Sequence, residues 1–208
     1  MFTRLRTPPP PGRSTRTGQR LTKQRYGPNG YVTPGRCAQA LADLAPDKSA
    51  PLLDLGCGTG LSGEALRAAG FATLDGTDFS EEMLTLARAK PGLYRNLILG
   101  DLNNPLPGAP GDYANVAAVG VFSPGHAPAE MIDEVIALLP AGGCFVFSFN
   151  DHALEDSSYD EHIRALADVG TAELAFREYG EHLTARRIQA DVCVLRKLHS
   201  NIPRFPPV

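Results

Sequence analysis

The chain has no C-x-x-C pair: Cys37, Cys57, Cys144 and Cys193 are scattered through its 208 residues. That spacing argues against a zinc site or a disulfide framework and suits a reducing cytoplasm. No metal ligands are expected. Long apolar runs are also missing; none approaches the roughly 18 residues that suggest a membrane span. No G-x-x-x-x-G-K-[ST] occurs, which disfavours a nucleoside-triphosphate loop. Acid is absent from residues 1–42, which carry eight Arg or Lys and no Asp or Glu, leaving 12 basic against 23 acidic residues beyond them. A basic, acid-free lead could be a transit peptide or a nucleic-acid arm. Its Pro8-Pro9-Pro10-Pro11-Gly12 run would break an amphipathic helix, and no apolar signal-peptide core follows. Residues 1–29 are therefore expected to form a flexible basic tail, 30–200 one domain, and 201–208 a short C-terminal tail.

Beyond the lead, strand-like and helix-like segments alternate. Pro34 can open a helix carrying Ala38, Leu41 and Leu44; Leu52 to Leu55 is a short apolar strand running into glycines. Leu61 to Ala69 has helical spacing, Ala72 to Asp78 reads as a strand, and Ser80 caps a helix with a buried stripe of Met83, Leu84 and Ala87. Further strands are expected at Asn96 to Gly100, Tyr113 to Val121 and Cys144 to Phe149, with helices from Met131 to Leu139 and near Tyr159 to Val169. Two last strands, about 172 to 179 and 187 to 195, follow one another with no helix between them and predict an antiparallel hairpin. The fold class is α/β: a three-layer, Rossmann-like open sheet, mostly parallel and covered on both faces.

The stretch LLDLGCGTGLSG, residues 52–63, answers to two fingerprints. Gly56, Gly58 and Gly60 spell G-x-G-x-G, as in loops that hold a sulfonium methyl donor. Gly58, Gly60 and Gly63 spell the G-x-G-x-x-G of a dinucleotide pyrophosphate site. Asp78 could hold ribose hydroxyls in either case. Asp54 separates the two, because a carboxylate beside the loop repels a pyrophosphate and attracts a cationic sulfonium and ammonium. Asp101 adds a third acid at the end of the next strand, with no Lys or Arg among the three. The acids favour the cationic ligand.

LLDLGCGTG, LDGTDFSEEML, LGDLNNPLP, VGVFSPGH and LLPAGGCFVFS resemble the successive motifs of class I S-adenosylmethionine-dependent methyltransferases. Among these the chain is most similar to the small Williams–Beuren-region methyltransferase-like group, over roughly residues 30–150. The resemblance implies seven strands with the last one antiparallel, and S-adenosylmethionine as cofactor, with S-adenosylhomocysteine as product. It implies that Asp54 and the Gly56-Cys57-Gly58-Thr59-Gly60 turn pack against the methionine portion, and that Asp78 accepts from the ribose. Phe79 and Met83 would flank adenine, with Asp101 accepting from its amino group and Leu102 beside it; backbone at Val119 and Gly120 would border the ammonium end. The usual aromatic and acidic covering segment is replaced by QRYGPNGYVTP, in which Tyr26 or Tyr31 can substitute.

Methyl transfer from a cationic donor asks chiefly for in-line alignment; a general base is needed only if the acceptor must lose a proton early. His126, in the VFSPGHAP loop, is the candidate base. No Asn/Asp-Pro-Pro-aromatic run and no Pro-Cys pair occur, so the usual routes to nucleobase amino groups and pyrimidine C5 are unsupported. The acidic core is a poor match for phosphate backbones. A small-molecule acceptor is expected, without nucleic acid or membrane as partner. Alternatives on the same residues are a methyltransferase acting on protein or nucleic acid, a donor-binding module without turnover, and a nicotinamide oxidoreductase.

Overall fold

A computed structural model describes residues 30–102, 104–122 and 127–199. The expected tails at 1–29 and 201–208, Tyr26 and the candidate base His126 lie outside the described residues. The elements run α1 (Thr33–Leu44), β1 (Pro51–Leu55), α2 (Leu61–Ala68), β2 (Thr73–Asp78), α3 (Glu81–Arg88), β3 (Asn96–Leu99), β4 (Asn115–Phe122), α4 (Met131–Leu138), β5 (Cys144–Asn150), α5 (Ser157–Asp168), β6 (Ala172–Leu183) and β7 (Ile188–Lys197).

The strands form one sheet in the order β3-β2-β1-β4-β5-β7-β6. Strands β1 to β5 pair in parallel, and β7 lies antiparallel between β5 and β6. From β1 the chain winds outward to β2 and β3, then returns to β4 on the other side. Such a reversal opens a crevice at the carboxyl ends of the strands, where ligands of open α/β sheets bind.

Strand alternation feeds two apolar layers. Leu53, Leu55, Val116 and Ala118 face α4 and α5 in one buried cluster, while Leu52, Ala117 and Val119 join Cys37, Leu41 and Leu66 from α1 and α2 in the other. Phe122 anchors the first layer, meeting Phe145, Phe147, Phe149 and Tyr159 edge-on. Such ring pairs add about 1 kcal/mol each beyond area burial. Buried Lys197 donates from Nζ to the carbonyls of Ala137 and Leu139 at 3.2 and 2.6 Å, satisfying oxygens that the end of α4 leaves open.

Two sequence expectations need correcting. Met83 is 42% exposed rather than part of a buried stripe. Helix α3 is only two turns long and packs the narrow face of Leu84 and Ala87, which leaves Met83 on its flank. The final hairpin is longer than expected, extending to Leu183 and Lys197 through bulges near Leu174 and Glu181. Hydrogen bonds across the ladder carry it past the polar residues at which the apolar pattern fades.

Candidate functional site

The glycine turn sits at the winding reversal. Gly56, Gly58 and Gly60 all have left-handed φ, 63°, 53° and 86°, a region that side chains other than glycine rarely occupy. A Cβ on Gly56 would press within 2.7 Å of Val121, whereas one on Gly58 would meet nothing within 4 Å. The turn therefore presents Gly58 backbone to open space. Cys57 points the other way and is buried, its N–H donating to the Thr77 carbonyl at 2.9 Å.

The three acids expected at neighbouring strand tips are brought together by the order β3-β2-β1, but each has a different environment. Asp78 ties the turn to β2: Oδ2 accepts from Gly58 N at 2.8 Å and Oδ1 from Ser80 N at 3.0 Å. A carboxylate offers about four lone-pair sites, so two remain for a ligand's hydroxyls. Asp101 lies in a cleft of about 520 Å³ between the tips of β2 and β3, together with Thr77, Phe79, Leu99, Leu102 and Pro105. Phe79 is 70% exposed and turns its ring to solvent at the mouth of this cleft.

Asp54 departs from its expected place facing the ligand. It is fully buried beneath the turn, where Oδ2 accepts from Ser62 Oγ and from the Tyr94 hydroxyl, both at 2.6 Å. Oδ1 is buried with no hydrogen-bond partner among the described residues. Burial pushes the carboxyl up to about 6, opposed by the two hydroxyl donors and reinforced by the negative charge of Asp78.

Tyr94 was not singled out by sequence reasoning, and it accounts for the glycine at position 63. Its hydroxyl and ring fill the space where a Cβ on Gly63 would stand, and its ring edge also lies near Gly60 and Gly76, beside Leu93, Cys57 and Leu97. Gly63 is thus small to admit the tyrosine that holds Asp54. An intramolecular contact accounts for the third glycine of G-x-G-x-x-G, a packing role that this glycine has in dinucleotide loops as well, so the acids and not Gly63 separate the two fingerprints. A tyrosine 40 residues from its carboxylate partner leaves no local signal in the sequence.

At the other side of the turn, Val119 is buried near the end of β4, followed by exposed Gly120 with φ 71°. Gly120 donates its N–H to Ser148 Oγ at 2.9 Å, and a Cβ there would come within 2.6 Å of the Tyr31 hydroxyl. Tyr31 therefore stands over the β4 tip. Burial raises its hydroxyl above the ordinary tyrosine range, with the nearby Cys37 and Asp54 adding to the shift.

These features fit an adenosyl cation. An unpaired buried carboxylate oxygen under the turn, an open glycine backbone and an acid-bearing cleft with an exposed aromatic ring suit positive charge at one end and a planar base at the other. Among the described residues no Lys or Arg lines the Asp101 cleft, and Lys90, whose side chain passes Gly60, is paired with Glu64 at 2.8 Å.

Comparisons with known proteins agree. A family model described as "Methyltransferase domain" matches residues 52–143. Human methyltransferase-like protein 27 is 41% identical over 125 residues, 59% of this chain and 49% of that protein. A malonyl-[acyl-carrier protein] O-methyltransferase of Halalkalibacterium halodurans is 32% identical over 109 residues, 50% of this chain and 40% of that protein. The chain thus spans half or less of the length of these curated relatives. In fold it is similar to the magnesium protoporphyrin IX methyltransferase of Synechocystis PCC 6803 solved with its bound methyl donor, with a TM-score of 0.61, 19% identity, and coverage of 88% of this chain and 92% of that one.

Proposed function

We propose that this chain, which belongs to the class I S-adenosylmethionine-dependent methyltransferases, transfers the donor's methyl group to a small-molecule acceptor. The observation that carries the donor reading is the trio Asp54, Asp78 and Asp101 on three adjacent strand tips, with Asp54 Oδ1 buried and without a hydrogen-bond partner among the described residues. When bound, S-adenosylmethionine supplies an electrophilic methyl with a neutral thioether as leaving group.

The chain's own residues bind and orient. Asp78, already oriented by Gly58 and Ser80, receives the ribose hydroxyls. Phe79 and Met83 cover adenine, while Asp101 and Leu102 border it. The Gly56-Cys57-Gly58-Thr59-Gly60 turn, with the Asp54 charge behind it, receives the methionine portion, and Val119, Gly120 and Tyr31 enclose its ammonium end. Holding donor and acceptor in line is the principal catalytic contribution.

A small-molecule acceptor is supported by the charge of the chain beyond its basic lead, 12 basic against 23 acidic residues, which opposes binding of a phosphate backbone. The compared malonyl-[acyl-carrier protein] O-methyltransferase acts, by its name, at an oxygen, so oxygen nucleophiles head an acceptor screen. The test is calorimetric titration with S-adenosylhomocysteine, followed by a screen with methyl-labelled donor. Tight binding by wild type and its loss in Asp78→Ala is the expected result. Equal binding by both proteins would refute the site, and label transferred only to protein or RNA would replace the acceptor class.

A further inference from the structure

The geometry points to His182 as a positioning residue that, through Thr33 and Tyr31, holds the N-terminal segment over the methyl-donor site. This inference rests on the donor reading above. Residues 30–33 reach the β4 tip from outside the sheet and are fastened almost wholly to the end of β6. Tyr31 forms an isolated antiparallel bridge with Leu183. Val32 N donates to the His182 carbonyl at 3.0 Å, and Thr184 N donates to the Gly30 carbonyl at 3.3 Å. Gly30 has φ 64°, and a Cβ there would collide with Thr184 Oγ1, so the approach is close enough to require glycine.

His182 is the side chain at the centre of this junction. It is 8% exposed. Its Nδ1 pairs with Thr33 Oγ1 at 2.8 Å, across 149 residues of sequence. Its ring meets Tyr31 edge-on, with centroids 5.2 Å apart and planes at 79°. One imidazole thus secures the first turn of α1 and buttresses the tyrosine ring whose hydroxyl lies against Gly120. Burial lowers the imidazole's affinity for a proton, countered by Asp151 and assisted by Arg36. Tyr31 is the group that borders the ligand; His182 acts through it.

A double-mutant cycle read by calorimetric titration with S-adenosylhomocysteine tests this without turnover. His182→Ala is expected to weaken binding about tenfold. Tyr31→Ala is expected to do so at least as strongly, and the double variant no more than Tyr31→Ala alone. Additive losses, or unchanged binding in His182→Ala, would overturn the inference. Should His182→Ala fail to fold by circular dichroism, His182→Phe replaces it: the ring against Tyr31 is retained and the Thr33 partner lost. A smaller loss of affinity, with the same non-additivity, is then expected, and additivity again refutes. Wild-type protein that binds no product would overturn the donor reading itself, and this inference with it.

Discussion

Replacing Asp54 by Asn should separate what the carboxylate does for binding from what it costs the fold. The carboxyl rises from 3.8 to about 6 on folding because it is buried, and each pH unit corresponds to about 1.4 kcal/mol. The folded protein therefore holds a proton that the unfolded chain has released between about pH 4 and pH 6. Over that window stability falls as pH rises, levelling off above 6, for a total of about 3 kcal/mol. Asn cannot ionise, so this slope disappears. Its oxygen can still accept from Ser62 and Tyr94, but its amide then occupies the unpartnered Oδ1 position, at a cost of about 1 to 3 kcal/mol. The substitution should be destabilising near pH 4 and close to neutral or stabilising at pH 7.5. Urea unfolding of both proteins at half-unit steps from pH 4 to 8 reads the difference directly. The two stability curves should converge or cross as pH rises, while product affinity at pH 7.5 drops about tenfold. Parallel curves, or an Asn protein most destabilised at high pH, would refute the idea that the fold carries a strained charge under the turn.

Other substitutions probe the same framework. Gly63→Ala should lose about 1 to 3 kcal/mol by forcing Tyr94 out of place. Because the added methyl would meet the Tyr94 ring carbon Cζ at 2.5 Å as well as the hydroxyl, adding Tyr94→Phe should recover little of that loss in urea unfolding. Lys197→Ala strips two carbonyls at the end of α4 of their donor and should lower stability by about 2 to 4 kcal/mol, read as an earlier thermal midpoint. Gly58→Ala meets no steric obstacle, so its cost of about 1 kcal/mol comes from the left-handed backbone alone. Its larger effect should be on product affinity, where the added methyl enters the crevice.

Much of the architecture follows from local patterns. Short leucine-rich runs such as Leu52-Leu53-Asp54-Leu55, the Ser80 cap with its N–H from Met83 at 3.3 Å, and glycine stops such as Gly70 mark element boundaries by short-range physics. The adjacency of Asp54, Asp78 and Asp101 was readable too, because parallel strands joined by short helices have few permitted orders. What could not be read is held together by distance. Tyr94 meets Asp54 across 40 residues and His182 meets Thr33 across 149, and neither residue stands in any periodic or motif context. Met83 shows the opposite failure: its helical spacing was genuine, but periodicity says nothing of how wide a face a two-turn helix buries.

The same distinction explains why one loop satisfied two fingerprints. A glycine in a motif records that a side chain is disfavoured there, not why. At Gly58 a Cβ would meet empty space in the crevice, and at Gly63 a tyrosine hydroxyl of the same chain. The first kind leaves room for an external ligand. The second belongs to the apparatus that keeps a buried carboxylate hydrogen-bonded on one oxygen and bare on the other. Because that bare oxygen lies behind a turn whose front is open, the cost of desolvating Asp54 is offset best when positive charge approaches the turn. Binding of a cationic donor and relief of the fold's own strain are then one event, so affinity should rise with pH through the range in which Asp54 ionises. A pH-independent affinity between 5 and 8 would separate the two and leave Asp54 a purely internal brace.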